Sequence, residues 1–203
     1  MLEYAQAKKV LDEYGIRSVE SAYVGAADEA VAFSDGDRIV LKLISDKAVH
    51  KTKEGLVKLD LKGEDEISAA FRYLEDRGRK LRPYKILAQK MAESGVEIII
   101  GGNTDAQFGR MLLIGLGGIY VETFKDVELR LCPITKADAK NMLESLRSGK
   151  VITHGGASTK MVANLLFSVS KLLIEHEEIS ELDLNPVIVR EGSYDVVDIR
   201  MIK

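Results

Sequence analysis

Apolar residues recur along this chain at two spacings, one typical of helices and one typical of strands. Steps of three and four residues along one face predict amphipathic helices. These predicted helices cover residues 7–14, 28–33, 67–74, 139–146 and 158–176. Alternating or short continuous apolar runs predict strands, which dominate the middle third of the chain. The strand-like runs cover residues 18–24, 39–44, 55–61, 86–91, 96–102, 111–114, 127–131, 181–189 and 194–201.

The order of these elements predicts an α+β fold with two lobes. Residues 1–90 form the N-terminal lobe, and residues 91–203 form a C-terminal lobe built on a mostly antiparallel sheet. Within the second lobe, residues 127–131 alternate apolar and charged side chains, which predicts a half-buried strand. Thr135 to Asp138 fit a capping box and predict the start of the helix that follows.

The composition excludes several classes of protein. The 203 residues are 46% hydrophobic and 30% charged, which is ordinary for a globular protein. A formal net charge of −3 gives no basic field that would attract nucleic acid or an anionic membrane. The single cysteine, Cys132, allows no intrachain disulfide, and three scattered histidines do not favour a zinc site. We therefore expect a cytoplasmic protein without a signal peptide or a membrane span.

The first candidate for chemistry is a predicted hairpin around a polar loop. Lys42 interrupts an apolar strand, so its side chain points away from those of Leu41 and Leu43. The loop of residues 45–54 has no Walker pattern, but its His50-Lys51-Thr52 sequence could offer an imidazole, an ammonium and a hydroxyl to a phosphoryl group. A solvated hairpin with ordinary surface lysines is the alternative interpretation, and this stretch alone does not choose between the two.

Three further segments carry candidate binding groups. Gln89, Lys90 and Met91 lie between the two predicted lobes, where a planar base could insert. Glu97, on the next strand, could accept hydrogen bonds from a sugar hydroxyl. The segment Gly115-Leu116-Gly117-Gly118 permits a sharp turn or a close approach of the backbone to another group. Each of these segments is also compatible with a purely structural role.

The most specific chemical pattern is a set of oxygen-bearing side chains near the end of the sequence. Glu181, Asp183 and Asn185 share one face of a predicted strand, because side chains alternate along a strand. Asp198 interrupts the apolar run of the neighbouring strand. Amide and carboxylate oxygens suit Mg²⁺, which takes few protein ligands and keeps waters and substrate phosphates. The sequence therefore predicts a magnesium site at Asn185 and Asp198.

Seven segments, taken in order along the chain, match the pattern of a known family. They are Val40-Leu41-Lys42, His50-Lys51-Thr52, Leu87-Ala88-Gln89-Lys90-Met91, Gly95-Val96-Glu97-Ile98-Ile99-Ile100-Gly101, Gln107-Phe108-Gly109, Gly115-Leu116-Gly117-Gly118-Ile119-Tyr120-Val121-Glu122 and Glu181-Leu182-Asp183-Leu184-Asn185-Pro186-Val187. On these segments the chain resembles the β subunit of ADP-forming acyl-CoA synthetases, the ADP-forming acetate–CoA ligases, which are relatives of succinyl-CoA synthetase. The resemblance covers essentially the whole chain.

The resemblance implies an ATP-grasp fold with a nucleotide bound between two lobes. It implies an enzyme that interconverts acyl-CoA, ADP and phosphate with acid, CoA and ATP. A separate CoA-binding α subunit would carry a phosphohistidine, in an α2β2 assembly. The implied catalytic residues are His50, which takes the phosphoryl group, and Asp183, which orients the phosphohistidine. The implied ligands of ATP or ADP are Lys42, Lys51, Gln89, Lys90, Met91 and Glu97, and those of Mg²⁺ are Asn185 and Asp198.

The chain departs from the pattern of this family in two places, a short N-terminus and the segment of residues 154–160. Residues 154–160 lack the usual Arg-Gly-x-Pro-Pro-x-Asp, which leaves open how this loop contacts an α subunit and supports the helix after it. Two other functions are open at this point. One is an ATP-grasp module that binds nucleotide for regulation and transfers nothing, although the presence of His50 and Asp183 argues against it. The other is a carboxylate–amine ligase that acts through an acyl phosphate and needs no histidine relay.

Overall fold

Two antiparallel sheets, each with its own helices, make up the described part of the chain. The computed structural model describes residues 1–45, 47, 55–118 and 126–203. Within these residues the helices are α1 (Tyr4–Glu13), α2 (Ala27–Ser34), α3 (Glu64–Gly78), α4 (Lys136–Ser145), α5 (Gly149–His154) and α6 (Thr159–Glu175). The strands are β1 (Ser21–Val24), β2 (Ile39–Ile44), β3 (Val57–Leu61), β4 (Lys85–Lys90), β5 (Val96–Asp105), β6 (Gly109–Leu116), β7 (Val127–Leu131), β8 (Glu181–Arg190), β9 (Ser193–Val196) and β10 (Ile199–Ile202). None of the described helices combines the length and apolarity that crossing a membrane requires.

Contacts within the chain define two units that differ from the predicted lobes at the N-terminus. The units are Val19–Met91 and, joined together, Met1–Ser18 with Ala92–Lys203. Residues 1–18 therefore do not belong with the lobe in which the sequence-based division placed them. Helix α1 packs against β10, the N–H of Leu2 donates to the carbonyl oxygen of Met201 over 2.8 Å, and Ser18 bridges to Val196. These contacts, between residues far apart in the sequence, hold residues 1–18 against the last strands of the chain.

The Val19–Met91 unit is a four-stranded sheet in the order β1-β4-β2-β3. Helices α2 and α3 cover one face of it, where Ile39, Leu41 and Leu43 are fully buried against residues of α3 such as Phe71. Lys42 alternates with these residues, so it lies on the opposite face of the sheet. Helix α3 begins with three acidic residues, which suit the positive end of its dipole. The orientation of Lys42 agrees with the prediction from the sequence.

The other unit is built on a six-stranded sheet in the order β10-β8-β5-β6-β7, with β9 paired to β8. Its helix-covered face carries buried residues of three strands, namely Ile98, Ile100, Leu112, Ile114, Leu182 and Leu184. Helix α6 presents the predicted apolar side, with Val162, Leu165, Leu166, Val169, Leu172 and Leu173 buried. The capping box at α4 is confirmed, because the N–H of Asp138 donates to Thr135 Oγ1 over 3.1 Å and the N–H of Thr135 donates to the Asp138 carboxylate over 2.8 Å.

We name the opposite side of this sheet the Asp183 face. Directly paired residues of antiparallel strands point to the same side, so the register defines rows of side chains across the sheet. One such row consists of Leu129, Leu113, Gly101, Asp183 and Arg200. This row therefore has apolar residues on β7 and β6, a glycine on β5 and charged residues on β8 and β10.

Strand β7 exposes its apolar side and not its charged side. Val127, Leu129 and Leu131 lie on the Asp183 face and are 38%, 44% and 51% exposed. Glu128 and Arg130 lie on the helix-covered face, where they form an ion pair of 3.1 Å. The strand occurs at the predicted residues, but its burial pattern is the reverse of that of a strand with its apolar side turned to the core.

Two adjacent glycines of β5 provide a matched test of this two-faced packing. A Cβ on Gly102 would lie 2.7 Å from both Cδ atoms of Leu173, which is fully buried on α6. A Cβ on Gly101 would meet Leu113 at 3.8 Å, which is an ordinary contact. We expect Gly102→Ala to lower the free energy of unfolding by about 1–3 kcal/mol and Gly101→Ala to change it by less than about 0.5 kcal/mol. Denaturant unfolding of the two variants measures this difference, and equal losses would contradict it.

Candidate functional site

Lys42 and Gln89 lie on the same face of the four-stranded sheet. Lys42 pairs with Leu87 of β4, and Gln89 pairs with Val40 of β2, so the two polar side chains are diagonal neighbours. Both are buried, with exposures of 5% for Lys42 and 1% for Gln89. An ammonium group and an amide are thus held together on the side of the sheet that α2 and α3 do not cover. The prediction of a phosphate contact at Lys42 is compatible with this placement.

Lys90 points to the other side of the sheet from Gln89. Its ammonium donates to the carbonyl oxygen of Ser34 over 2.7 Å and to the carboxylate of Asp37 over 3.0 Å. The N–H groups of Lys90 and Met91 donate to backbone carbonyls of their own unit, both over 2.9 Å. Met91 has an exposed side chain. The Lys90 side chain therefore holds the end of α2 to β4. A nucleobase at this segment would have to bind groups other than the Lys90 ammonium and the N–H groups of Lys90 and Met91, which already donate within the unit.

The glycine-rich segment after β6 lies against Glu97. The N–H of Gly117 donates to the carbonyl oxygen of Glu97 over 2.7 Å. A Cβ on Gly117 would lie 3.0 Å from that same carbonyl group. Gly118 has a φ of +68°, which favours glycine, and a Cβ there would lie 3.6 Å from the Glu97 carboxylate. Sequence reasoning listed these glycines and Glu97 separately, but the structure shows that the glycines fit the backbone around Glu97.

The oxygen-bearing side chains of β8 share one face, as predicted. Glu181, Asp183 and Asn185 are exposed, whereas Leu182 and Leu184, between them, are buried. The N–H of Asn185 donates to the carbonyl oxygen of Asp198 over 3.3 Å. Asp198 does not lie inside a strand, as the apolar run around it suggested, because residues 197–198 connect β9 to β10. This connection between β9 and β10 places Asp198 next to Asn185.

The electrostatic surroundings of Asp183 come from three sources. Although part of its side chain is exposed, surrounding protein atoms partly desolvate the Asp183 carboxylate and raise its pKa. The charge of Arg200 lowers that pKa, and the charge of Asp198 raises it. Arg200 is the register partner of Asp183 across the β8–β10 ladder. Sequence reasoning did not select Arg200, because the pairing of β10 with β8 that brings it to Asp183 is not visible in the sequence.

This arrangement fits a divalent cation. The Asn185 amide and the Asp198 carboxylate are oxygen donors at neighbouring positions. The negative charge of Asp198 raises the pKa of Asp183, so a positive charge between them would relieve this repulsion. Among the described residues, no group of three or more His, Cys, Asp and Glu side chains is arranged to hold a metal. A cation at this place would complete its coordination with waters and substrate oxygens, as Mg²⁺ does.

Two of the predicted site residues, His50 and Lys51, lie outside the described residues. The same is true of Ile119 to Glu122, the second half of the segment that begins at Gly115.

Comparison with known proteins identifies the class to which this fold belongs. Residues 1–202 match a family model described as an ATP-grasp domain. The predicted ATP-grasp fold of α+β class is therefore confirmed.

Individual relatives narrow the class. The chain is 36% identical to acetate–CoA ligase (ADP-forming) I subunit beta of Pyrococcus furiosus, over 97% of this chain and 89% of that protein. It is 40% identical to acetate–CoA ligase (ADP-forming) I of Archaeoglobus fulgidus, over 98% of this chain, but it spans only 30% of the length of that protein. The chain belongs to the family of β subunits of ADP-forming acetate–CoA ligases.

A solved structure agrees with this assignment. Acetyl-coenzyme A synthetase 1 of Ca. Korarchaeum cryptofilum, in complex with coenzyme A and Mg-AMPPCP and with its phosphohistidine segment pointing towards the nucleotide-binding site, matches with a TM-score of 0.86 and 36% identity. The match covers 99% of this chain and 92% of that chain. These relatives do not favour a regulatory module or a carboxylate–amine ligase. Relatives occur as separate β subunits of about this length and also as longer single chains. This indicates a partner domain.

Proposed function

We propose that this chain is the nucleotide-binding β subunit of an ADP-forming synthetase for acetyl-CoA or a related acyl-CoA. The reaction interconverts acyl-CoA, ADP and phosphate with acid, CoA and ATP. A partner α subunit binds CoA and carries the phosphohistidine, in an α2β2 assembly in the cytoplasm. The observation that carries the proposal is the grouping of Asp183 and Asn185 on one face of β8 with Asp198 in the adjacent connection before β10, in a chain of this family.

Each predicted ligand has a part in nucleotide binding. Lys42 and Lys51 contact the phosphates as flexible point charges. Residues 89–91 hold the adenine. Lys90 contributes through its backbone carbonyl oxygen, because its ammonium is bound to the end of α2 and its N–H donates to Glu20. Glu97 accepts hydrogen bonds from the ribose. Asn185 and Asp198 hold Mg²⁺, which balances the negative charge of the transferred group when it is bound.

Asp183 orients the histidine of the α subunit for phosphoryl transfer. Its carboxylate accepts a hydrogen bond from one imidazole N–H, so that the other ring nitrogen keeps its lone pair and can attack phosphorus. In the direction that consumes ATP, the N–P bond to His50 forms as the P–O bond to ADP breaks, and the N–P bond to the histidine of the α subunit then forms as the N–P bond to His50 breaks. His50 takes the phosphoryl group at the nucleotide site and passes it to the histidine of the α subunit.

Calorimetric titration of the purified chain with Mg-ADP and Mg-ATP tests the proposal. We expect binding with a Kd below about 1 mM, the upper end of ordinary substrate affinities. Removing Mg²⁺ with EDTA, or replacing both Asn185 and Asp198 with alanine, should weaken ATP binding by about 10-fold or more, because the phosphate charge is then not balanced.

Glu181→Gln is the matched control for the double variant. Glu181 lies on the same exposed side of β8 but has no part in the proposed site, so its replacement should leave the Mg²⁺ dependence unchanged. A parent chain that binds neither nucleotide at millimolar concentration would refute the proposed function. Equal effects of Glu181→Gln and the double variant would refute the assignment of the Mg²⁺ ligands.

A further inference from the structure

An exposed apolar strip runs along the edge of the six-stranded sheet. We define it as Val127, Leu129 and Leu131 of β7 together with Phe108 at the β5–β6 turn. Phe108 is 64% exposed, more than any of the three β7 residues. Edge strands of soluble proteins usually present charged side chains to solvent. Here the charged residues of β7 lie on the helix-covered face and the apolar residues face solvent. This exposure brings no benefit to an isolated chain, whereas a partner protein could bury these apolar side chains.

The Phe108 end of the strip is held in a fixed conformation. The carboxylate of Asp105 accepts hydrogen bonds from the N–H groups of Gln107 and Phe108, over 2.8 Å and 2.9 Å. These hydrogen bonds lower the pKa of Asp105. An aromatic side chain on an ordered turn loses little conformational entropy when it enters a pocket, which is why such residues often dominate the energy of protein interfaces.

The strip and the proposed transfer site lie on the same face of one sheet. Leu129 pairs with Leu113, Leu113 pairs with Gly101, and Gly101 pairs with Asp183. Three strand spacings separate Leu129 from Asp183, a distance of about 14 Å. Gly101, in the middle of this row, has no side chain that would stand between the strip and Asp183. A protein seated on the strip would therefore reach Asp183 without crossing the edge of the sheet.

The geometry points to the strip as the surface on which the α subunit docks. This inference rests on the proposed function, which requires a partner protein to bring a histidine to Asp183. The longer A. fulgidus ligase shows that relatives of this chain carry a further part of more than twice its length. A second copy of this chain would cover the apolar side chains but would bring no CoA-binding domain. The partner surface is expected to be apolar where it meets Leu129 and Leu131, with a pocket for Phe108.

Substitutions on the strip test this assignment. The probe is the α subunit from the same genome, identified as the chain that matches the remaining part of the A. fulgidus ligase. We expect the double variant Leu129→Lys, Leu131→Lys to bind this α subunit at least about 10-fold more weakly, because two charges would be desolvated in the interface. Phe108→Ser, a second variant on a separate turn, should also weaken binding. Surface plasmon resonance measures the affinities.

Ile174→Lys is the matched control, because Ile174 is 37% exposed on α6, which packs on the opposite face of the same sheet. It should bind the α subunit as the parent does, and thermal unfolding should show that all variants are folded. Unchanged affinity of both strip variants would overturn the inference. So would a loss of self-association, measured by light scattering, without a loss of α-subunit binding. Mg-ADP binding to the free chain reports separately on the proposed function, since strip variants should leave it unchanged.

Discussion

Replacing Asp183 with asparagine is expected to lower the turnover of the reconstituted enzyme by about 10²- to 10⁴-fold, because loss of a carboxylate that orients a catalytic histidine can cost up to about 10⁴ in kcat. Asparagine has the same shape, but its amide does not stabilise the positive charge that develops on the imidazole. The affinity for Mg-ADP should change by less than about threefold, because Asp183 orients the histidine and does not hold the nucleotide. A steady-state assay with the α subunit gives kcat, and calorimetry gives the affinity.

The same variant should not be less stable than the parent. The pKa of Asp183 is raised in the folded chain, so its negative charge costs folding free energy above the folded pKa. That cost decreases as the pH falls through the folded pKa, and it is absent below the pKa of the unfolded state. Asp183→Asn removes the cost, so the stability difference in its favour should be present at neutral pH and disappear in acid. Denaturant unfolding between these pH values measures it.

Glu181→Gln controls for a general effect of charge on this face, since it removes a carboxylate from the same side of β8. Its turnover should stay within about twofold of the parent, as surface substitutions usually have small effects. Turnover of Asp183→Asn within threefold of the parent would refute the histidine-orienting role. It would leave nucleotide binding, and with it the family assignment, untouched.

The elements that local pattern determines were predictable from the sequence. The strand period of two placed Glu181, Asp183 and Asn185 on one face, and the structure agrees, because the leucines between them can be buried only on the other face. The capping box of α4 is likewise a local interaction of Thr135 with Asp138. Such features depend on neighbours within a few residues, which a sequence displays directly.

What the sequence did not display are contacts between distant residues. Nothing near Gly117 indicates that its neighbour is Glu97, and nothing in the first 18 residues indicates that they pair with the last strands. The inverted burial of β7 was hidden for a related reason. Alternation shows that two sides differ, but only the tertiary contacts decide which side is covered. At β7 the apolar side is left exposed, which agrees with a role for it outside this chain.

Lys42 illustrates the same limit, since its pattern allowed both a surface lysine and a ligand contact. Its side chain is buried within the sheet of the Val19–Met91 unit. Lys42→Met keeps the apolar stem and removes the charge. We expect the affinity for Mg-ATP to fall by about 10- to 100-fold, because a hydrogen bond to a charged group contributes about 1.5–3 kcal/mol. Calorimetric titration with Mg-ATP measures the change, and unfolding curves establish that the variant is folded.

Lys90→Met is the matched control on the neighbouring strand. Its ammonium is bound to Ser34 and Asp37, so its loss should lower the free energy of unfolding by about 1 kcal/mol. Its Mg-ATP affinity should stay within about threefold of the parent, because any contact to adenine there uses the backbone. If Lys90→Met loses affinity and Lys42→Met retains it, the two roles are exchanged. In that case the phosphates would face the helix-covered side of the sheet, which is opposite to Lys42.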